Sequence, residues 1–265
     1  MFCLAREGTL TLPHTQVDYI TFGRGEKPLV MIQGLNTRGI RGAGQSLAWM
    51  YRIFAADHTV YLFDRRAAVD PGITIKDLAL DTAAAMDTLG LKNAHILGVS
   101  QGGMIAQYLA VHRPDLVDKL VLAVTLGRTN SAVTEAIHTW VRLTEEGHMK
   151  ELVADMAERM YSPAYLRRYR PLLPLLTLLQ KPKDVPRFTA LARACLTCNT
   201  WDDLDKVTCP VLVIGGGQDR IVTGEASKEL AARLNCPLHM YENLGHAAYE
   251  EAKDFNRIVA DFFRN

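Results

Sequence analysis

Net charge is almost absent from this sequence. Thirty Lys and Arg against 29 Asp and Glu leave +1 over 265 residues, so nothing in the overall balance drives counterion release from nucleic acid or adhesion to an anionic membrane. Cysteine is scarce. The five present are odd in number and lack the dense, even spacing of a disulfide-stapled domain, which fits a reducing compartment where thiols stay free. A long apolar run is missing as well. The stretch 93–112 has no acid, Lys or Arg, but Ser100, Gln101, Gly102, Gly103 and Gln107 interrupt it, unlike a membrane-spanning helix. Arg6 and Glu7 likewise interrupt the first residues, where a signal peptide needs an unbroken apolar segment. The expectation is a cytoplasmic protein without nucleic-acid or membrane partners.

What is present is apolar residue in quantity, 48% of the chain, enough for a sizeable core. At about 150 residues per domain the length allows a little under two domains, although α/β chains of this size often fold as one unit. Two alternating segments, 9–12 and 16–22, read as an opening hairpin. Apolar, β-rich runs at 28–33, 59–63, 94–99, 119–124, 211–214 and 237–241 then read as parallel strands buried on both faces. Helical periodicity at 45–55, 76–89, 103–112, 225–234 and 247–263 supplies the crossovers. The predicted class is α/β, a doubly wound, mostly parallel sheet of eight strands. One segment breaks the alternation. Between residues 126 and 207 only amphipathic helices are expected, around 131–146, 150–160 and 185–198, with a proline- and leucine-rich apolar elbow at 170–182. The chain therefore divides into a core of 1–125 and 208–265 and a helical insertion of 126–207.

The most informative motif is Gly98-x-Ser100-x-Gly102, placed after a buried strand and before a helix. A serine at a sharp strand-to-helix turn needs small neighbours two residues away on each side, and the turn projects its hydroxyl clear of the sheet. A serine hydroxyl is a weak nucleophile at neutral pH, so a working site also needs a histidine to take its proton and a carboxylate to orient that histidine. His246, after the last strand and before the terminal helix, is the best placed of the eight histidines. His95 falls inside a strand, His112 at a helix end and His14 in the hairpin, while His138 and His148 in the insertion remain alternatives. Asp219 follows the penultimate strand through a glycine-rich turn, although a turn or capping aspartate would look the same. No acid lies between Asp118 and Glu135 to offer a position one strand earlier. Asp64 also follows a strand, but on the early side of the sheet, where pairing with Arg65 or Arg66 is expected.

With these residues in view, the sequence resembles the α/β-hydrolase superfamily, whose order of serine, acid and histidine is matched by Ser100, Asp219 and His246. The resemblance spans nearly the whole chain. It implies that the insertion is a helical cap placed after the sixth strand. It also implies an oxyanion hole built from the backbone N–H groups of Gln101 and Leu35, the latter in the sequence MIQGLNTRG. Gln33 departs from the pattern, since many members carry histidine before that glycine. The resemblance further implies a serine hydrolase cleaving a small or medium carboxylic ester, thioester or lactone through an acyl-enzyme, with water as second substrate and no metal or organic cofactor. Lyase, acyltransferase, perhydrolase and carbon–carbon bond hydrolase chemistry on the same three residues are alternatives, as is a non-catalytic ligand-binding member.

Other motifs fall short. Gly34 to Gly39 has the spacing of a phosphate loop, but Ile40 and Arg41 stand where Lys and Ser or Thr are required. Gly98 to Gly103 is not the dinucleotide fingerprint, nor is it on the first βα unit. Cys195 and Cys198 form C-x-x-C without further ligands at zinc spacing, and two core-facing thiols on one helical face is the expected arrangement.

Overall fold

The computed structural model describes residues 4–169 and 181–265. The alternating opening segments form antiparallel strands β1 (Arg6–Thr11) and β2 (Gln16–Gly23). Strands β3 (Lys27–Ile32), β4 (His58–Phe63), β5 (Ala94–Val99), β6 (Val117–Ala123), β7 (Val211–Gly216) and β8 (Leu238–Tyr241) follow. Together they make one eight-stranded sheet in the order β1-β2-β4-β3-β5-β6-β7-β8. β2 joins β4 antiparallel, and every pairing from β4 to β8 is parallel. Parallel neighbours need long connections. These carry α1 (Gly44–Met50), α2 (Ile75–Thr88) and α3 (Gln101–His112). Between β6 and β7 lie α4 (Ser131–Glu145), α5 (Met149–Met160), α6 (Pro163–Tyr169) and α7 (Val185–Ala194). The chain continues with α8 (Gly224–Leu234), the single turn α9 (Ala248–Glu251) and α10 (Phe255–Arg264).

Because strand side chains alternate between faces, the central strands feed two cores. Val30 and Ile32 of β3, Ile96 of β5, and Leu120 and Leu122 of β6 pack with Met86, Met104 and Leu109 from α2 and α3. Their neighbours Leu29, Met31, Leu97, Val99 and Val121 pack on the opposite face with Phe54, Phe255 and Val259. Burial on both faces is why β5 and β7 read as continuous apolar runs. β8 does not share it. It pairs only with β7 and leaves Leu238 exposed, so the expectation of a doubly buried strand there fails because β8 is an edge.

Three helices are shorter than their periodicity predicts. The helix expected over 45–55 stops at Met50, and a tighter 3-10 turn at Arg52–Phe54 swings Phe54 into the core. The terminal helix expected over 247–263 is broken where Ala252 adopts an extended backbone, before α10 turns Phe255, Val259 and Phe263 inward. The helix expected over 185–198 ends at Ala194. It gives way to a 3-10 turn at Cys195–Thr197 and then to an extended Cys198. The apolar elbow at 170–182 lies, up to residue 180, outside the described residues.

The segment between β6 and β7 leaves and re-enters the core at adjoining points. Thr200 N donates to Gly127 O at 2.8 Å, Thr129 N donates to Cys198 O at 3.2 Å, and Arg128 bridges Asn199 antiparallel. Gln107, fully buried on α3, holds this seam from below. Its Nε2 donates to Leu126 O at 3.0 Å and its Oε1 accepts from Thr200 Oγ1 at 2.8 Å.

At the opposite end of the sheet His58 and His95 are buried side by side, with Nε2 of the first 2.9 Å from Nδ1 of the second. Burial, and then the proximity of His58, depress His95 to about 4, and burial depresses His58 as well. Both rings are neutral in the folded protein, whereas the unfolded chain takes up protons near 6.5. The contribution to stability is therefore complete above about pH 6.5 and is lost as pH falls toward 4. Urea denaturation between pH 7 and pH 4 is expected to show this loss, with a smaller slope in a His58→Gln, His95→Gln double variant. An equal slope in both proteins would assign the acid sensitivity to other groups.

No helix among the described residues is long and apolar enough to cross a membrane.

Candidate active site

The turn from β5 into α3 places Ser100 at φ 53° and ψ −119°, a conformation costly for any residue with a side chain. Close packing around the turn explains both flanking glycines. A Cβ on Gly98 would lie 2.6 Å from the carbonyl oxygen of Gly102, and one on Gly102 would strike the carbonyl of Ile32. The strained turn is held by Ser100 N donating to Ala123 O at 2.9 Å and by Thr125 Oγ1 donating to Ser100 O at 2.8 Å. The hydroxyl points toward His246, with Nε2 at 2.9 Å from Oγ.

The other ring nitrogen, Nδ1, is 2.8 Å from Asp219 Oδ2. Because the carboxylate accepts only, the proton sits on Nδ1 and Nε2 is free to accept from the serine. Asp219 is fixed in turn by its second oxygen, which accepts from Ile221 N at 2.8 Å and Val222 N at 3.0 Å. The loops carrying the two residues are bonded to each other through Gln218 N and Leu244 O, 2.9 Å apart. His246 and Asp219 are 3% and 7% exposed, so this chain of hydrogen bonds is shielded from competing water. His138 and His148 have no part in it.

Gln101 is the first residue of α3, where the amide has no partner within the helix. Leu35 follows Gly34, whose Cβ position would be 3.3 Å from that of Ser100. Gly34, Leu35, Ser100 and His246 all line one small cavity of about 30 Å³, closed by Val133, Ile137 and Trp140 of α4 and by Met156 and Met160 of α5.

Side-chain bonds that the sequence does not foretell support this arrangement. Arg65, 8% exposed, donates from Nε to Gln101 Oε1 at 3.1 Å and from Nη2 to the carbonyl oxygen of Gln33. One guanidinium thus ties the loop carrying Leu35 to the turn carrying Ser100. Burial lowers Arg65 to about 10, against the opposing pull of Asp64. Gln101 is anchored on its other side, where Nε2 donates to Leu191 O at 2.7 Å and to Cys195 Sγ at 3.2 Å. The pairing expected for Asp64 is corrected: it accepts from the backbone N–H of Arg65 and from the Arg187 guanidinium at 3.2 Å, while Arg66 pairs with Asp81 at 2.6 Å. α7 brings Arg187 over the core, a long-range contact that outcompetes the chain neighbours.

On the far side of His246, α9 meets the end of α5. Ala247 N donates to Met160 O at 2.8 Å, Tyr161 Oη to Glu250 at 2.6 Å, and Ser162 Oγ to Glu251 at 2.6 Å. Loss of water raises the pKa of Glu250, and the hydroxyls of Tyr161 and Tyr249 draw it back.

The two cysteines of the C-x-x-C are buried but do not share a helical face. Cys195 lines the cavity, whereas Cys198 donates to Leu126 O at the seam. Burial raises Cys195 to about 11 and Cys198 further, so neither thiol is a thiolate. Gln101 keeps its bond to Leu191 without the Cys195 sulfur. A Cys195→Ala, Cys198→Ala double variant is therefore expected to lose stability yet retain kcat/KM within about tenfold, a 1.4 kcal/mol change in barrier. Steady-state kinetics check this, and activity that depends on redox conditions and is lost in the double variant would contradict it. Among the described residues no group of three or more His, Cys, Asp or Glu is placed to hold a metal.

Residues 30–258 match the model of the alpha/beta hydrolase family. The chain belongs to that family. A 2-hydroxy-6-oxononadienedioate/2-hydroxy-6-oxononatrienedioate hydrolase from Pseudomonas putida is 30% identical, with 100% of this chain and 96% of the relative aligned. A 3-oxoadipate enol-lactonase from Acinetobacter baylyi is 23% identical over 95% of this chain and 94% of its own length. Among solved structures, an enol-lactonase from Burkholderia xenovorans LB400 superposes with a TM-score of 0.84 at 20% identity, covering 97% of this chain and 100% of the other. These relatives make the chain a hydrolase of the alpha/beta class, and their names give different substrates.

Proposed function

We propose that this alpha/beta hydrolase is a serine hydrolase that cleaves a small or medium carboxylic ester, thioester or lactone through an acyl-enzyme. The observation that carries the reading is the position of His246, within hydrogen-bond distance of Ser100 on one side and Asp219 on the other. Ser100 Oγ attacks the carbonyl carbon as its proton passes to His246 Nε2, and Asp219 stabilises the imidazolium. The N–H groups of Leu35 and Gln101 receive the developing oxyanion, a contribution of several kcal/mol. His246 then returns the proton to the leaving oxygen or sulfur. In the second half-reaction water gives its proton to His246 and attacks the acyl carbon, releasing the acid and restoring Ser100 Oγ–H. No step calls for a metal or organic cofactor.

The segment 126–207 acts in this reading as a cap. Its helices α4 and α5 place Trp140, Met156 and Met160 over the serine, excluding water and bounding the space for substrate. Labelling with a fluorophosphonate, followed by hydrolysis of a panel of short acyl esters, tests the proposal. Covalent modification mapped to Ser100 together with ester turnover is expected; modification of another serine, such as Ser46 or Ser131, would overturn it.

A further inference from the structure

A second cavity of about 220 Å³ adjoins the one over Ser100 and shares three of its wall residues, Gly34, Leu35 and Tyr249. Its lining is mostly apolar, with Met31, Leu47, Tyr51, Leu97 and Val99, while Gln33, Asn36 and Glu250 are the polar residues in its wall. The two cavities differ in their access to the proton carrier: His246 lines the smaller and not the larger. A leaving group must lie where His246 can protonate it, so it occupies the smaller cavity. The acyl group departs from the other side of the carbonyl carbon, past Gly34 and Leu35. A cavity of about 150 Å³ is enough to hold benzene, so 220 Å³ accommodates a phenyl ring or a chain of about six carbons.

The charge lining this space is of one sign. Among the described residues neither cavity is lined by Lys or Arg, and the larger presents the Glu250 carboxylate. That carboxylate already accepts from Tyr161 and lies within coulombic reach of His246. An acyl group ending in a carboxylate would meet a like charge, with only the neutral Gln33 and Asn36 and no cation to receive it.

Building on the assignment of Ser100 as nucleophile, we propose that the cavity between α1 and α9 is the acyl subsite, and that Glu250 selects neutral or hydrogen-bond-donating acyl groups of phenyl to six-carbon size over acyl groups ending in a carboxylate. A hydrolase that this chain resembles is named for dioate substrates, so the proposal gives this chain a substrate charge different from the one in that name.

The test compares methyl acetate, methyl hexanoate, methyl phenylacetate and monomethyl adipate at pH 8. For the wild-type protein, kcat/KM for the hexanoate and phenylacetate is expected to exceed that for the adipate monoester at least tenfold. Glu250→Gln should raise the adipate-to-hexanoate ratio at least fivefold. Leu47→Trp, which fills the cavity, should lower the hexanoate-to-acetate ratio at least tenfold, and Leu47→Ala should not lower it; thermal melts establish that each variant is folded. A wild-type preference for the adipate monoester, or ratios unmoved by both Glu250→Gln and Leu47→Trp, would overturn the subsite. A protein that neither takes fluorophosphonate at Ser100 nor hydrolyses any of the esters would overturn the serine mechanism itself, so the two failures are distinguishable.

Discussion

Replacing Ser100 with alanine is expected to lower kcat by about 10⁴- to 10⁶-fold and to abolish fluorophosphonate labelling. The size follows from what would remain in the proposed mechanism: the Leu35 and Gln101 amides would still polarise a bound carbonyl, but there would be no oxygen to form the covalent bond. Stability should change little. The strained backbone at φ 53° is retained, and only the hydrogen bond to His246 is lost, a net effect of about 1 kcal/mol. Steady-state kinetics, intact-protein mass spectrometry after labelling and a thermal melt measure the three quantities. Labelling of the alanine variant at wild-type stoichiometry would place the nucleophile elsewhere.

The second large effect is expected at Arg65, a residue that touches no substrate. Its guanidinium donates to the carbonyl of Gln33 and to the side chain of Gln101, so Arg65→Met leaves one buried and one half-buried oxygen without this donor. Each costs about 1–3 kcal/mol. Relief of the desolvation that holds Arg65 at about 10 offsets part of this, and a net loss of about 2–4 kcal/mol is expected in urea denaturation. Catalysis should suffer separately. The loop bearing Leu35 and the turn bearing Gln101 lose the tie that fixes their spacing, and kcat is expected to fall tenfold to a hundredfold, less than for outright removal of an oxyanion donor. Because the loss is in the transition state, KM should move less than kcat. Arg65→Lys keeps the charge but not the two-pronged donor geometry, and should recover stability more than rate. An Arg65→Met protein with kcat within twofold of wild type would show that backbone packing alone sets the spacing.

These two residues also mark what the sequence could reveal. Ser100 was legible because the steric demands of the turn fall on its immediate neighbours, Gly98 and Gly102. His246 and Asp219 were legible because parallel strands deliver their following loops to a common edge. Arg65 carries no such local signal. Its acceptors lie 36 and 32 residues away, and in the sequence it is one of two adjacent arginines after an aspartate, which invites a local ion pair that the structure replaces with Arg187. Glu250 and Tyr161 are 89 residues apart and meet only because α5 ends against α9. The helix boundaries erred for a related reason. Periodicity records which face is buried, while the breaks at Tyr51, Ala252 and Cys195 are set by where the next element must start.

The seam at Gly127 and Thr200 bears on how such a protein changes over time. Because the excursion between β6 and β7 starts and finishes at hydrogen-bonded neighbours, its length is not set by the distance between the two strands. Lengthening a flexible loop whose ends are already joined costs little, about 0.6 kcal/mol of closure entropy per doubling. In the proposed reading the roof over the serine can thus be lengthened or trimmed without moving β6 and β7, provided that the contacts its inner residues make with Gln101, Asp64 and Ala247 are kept or replaced, and new substrates become accessible to an old reaction through changes in one segment.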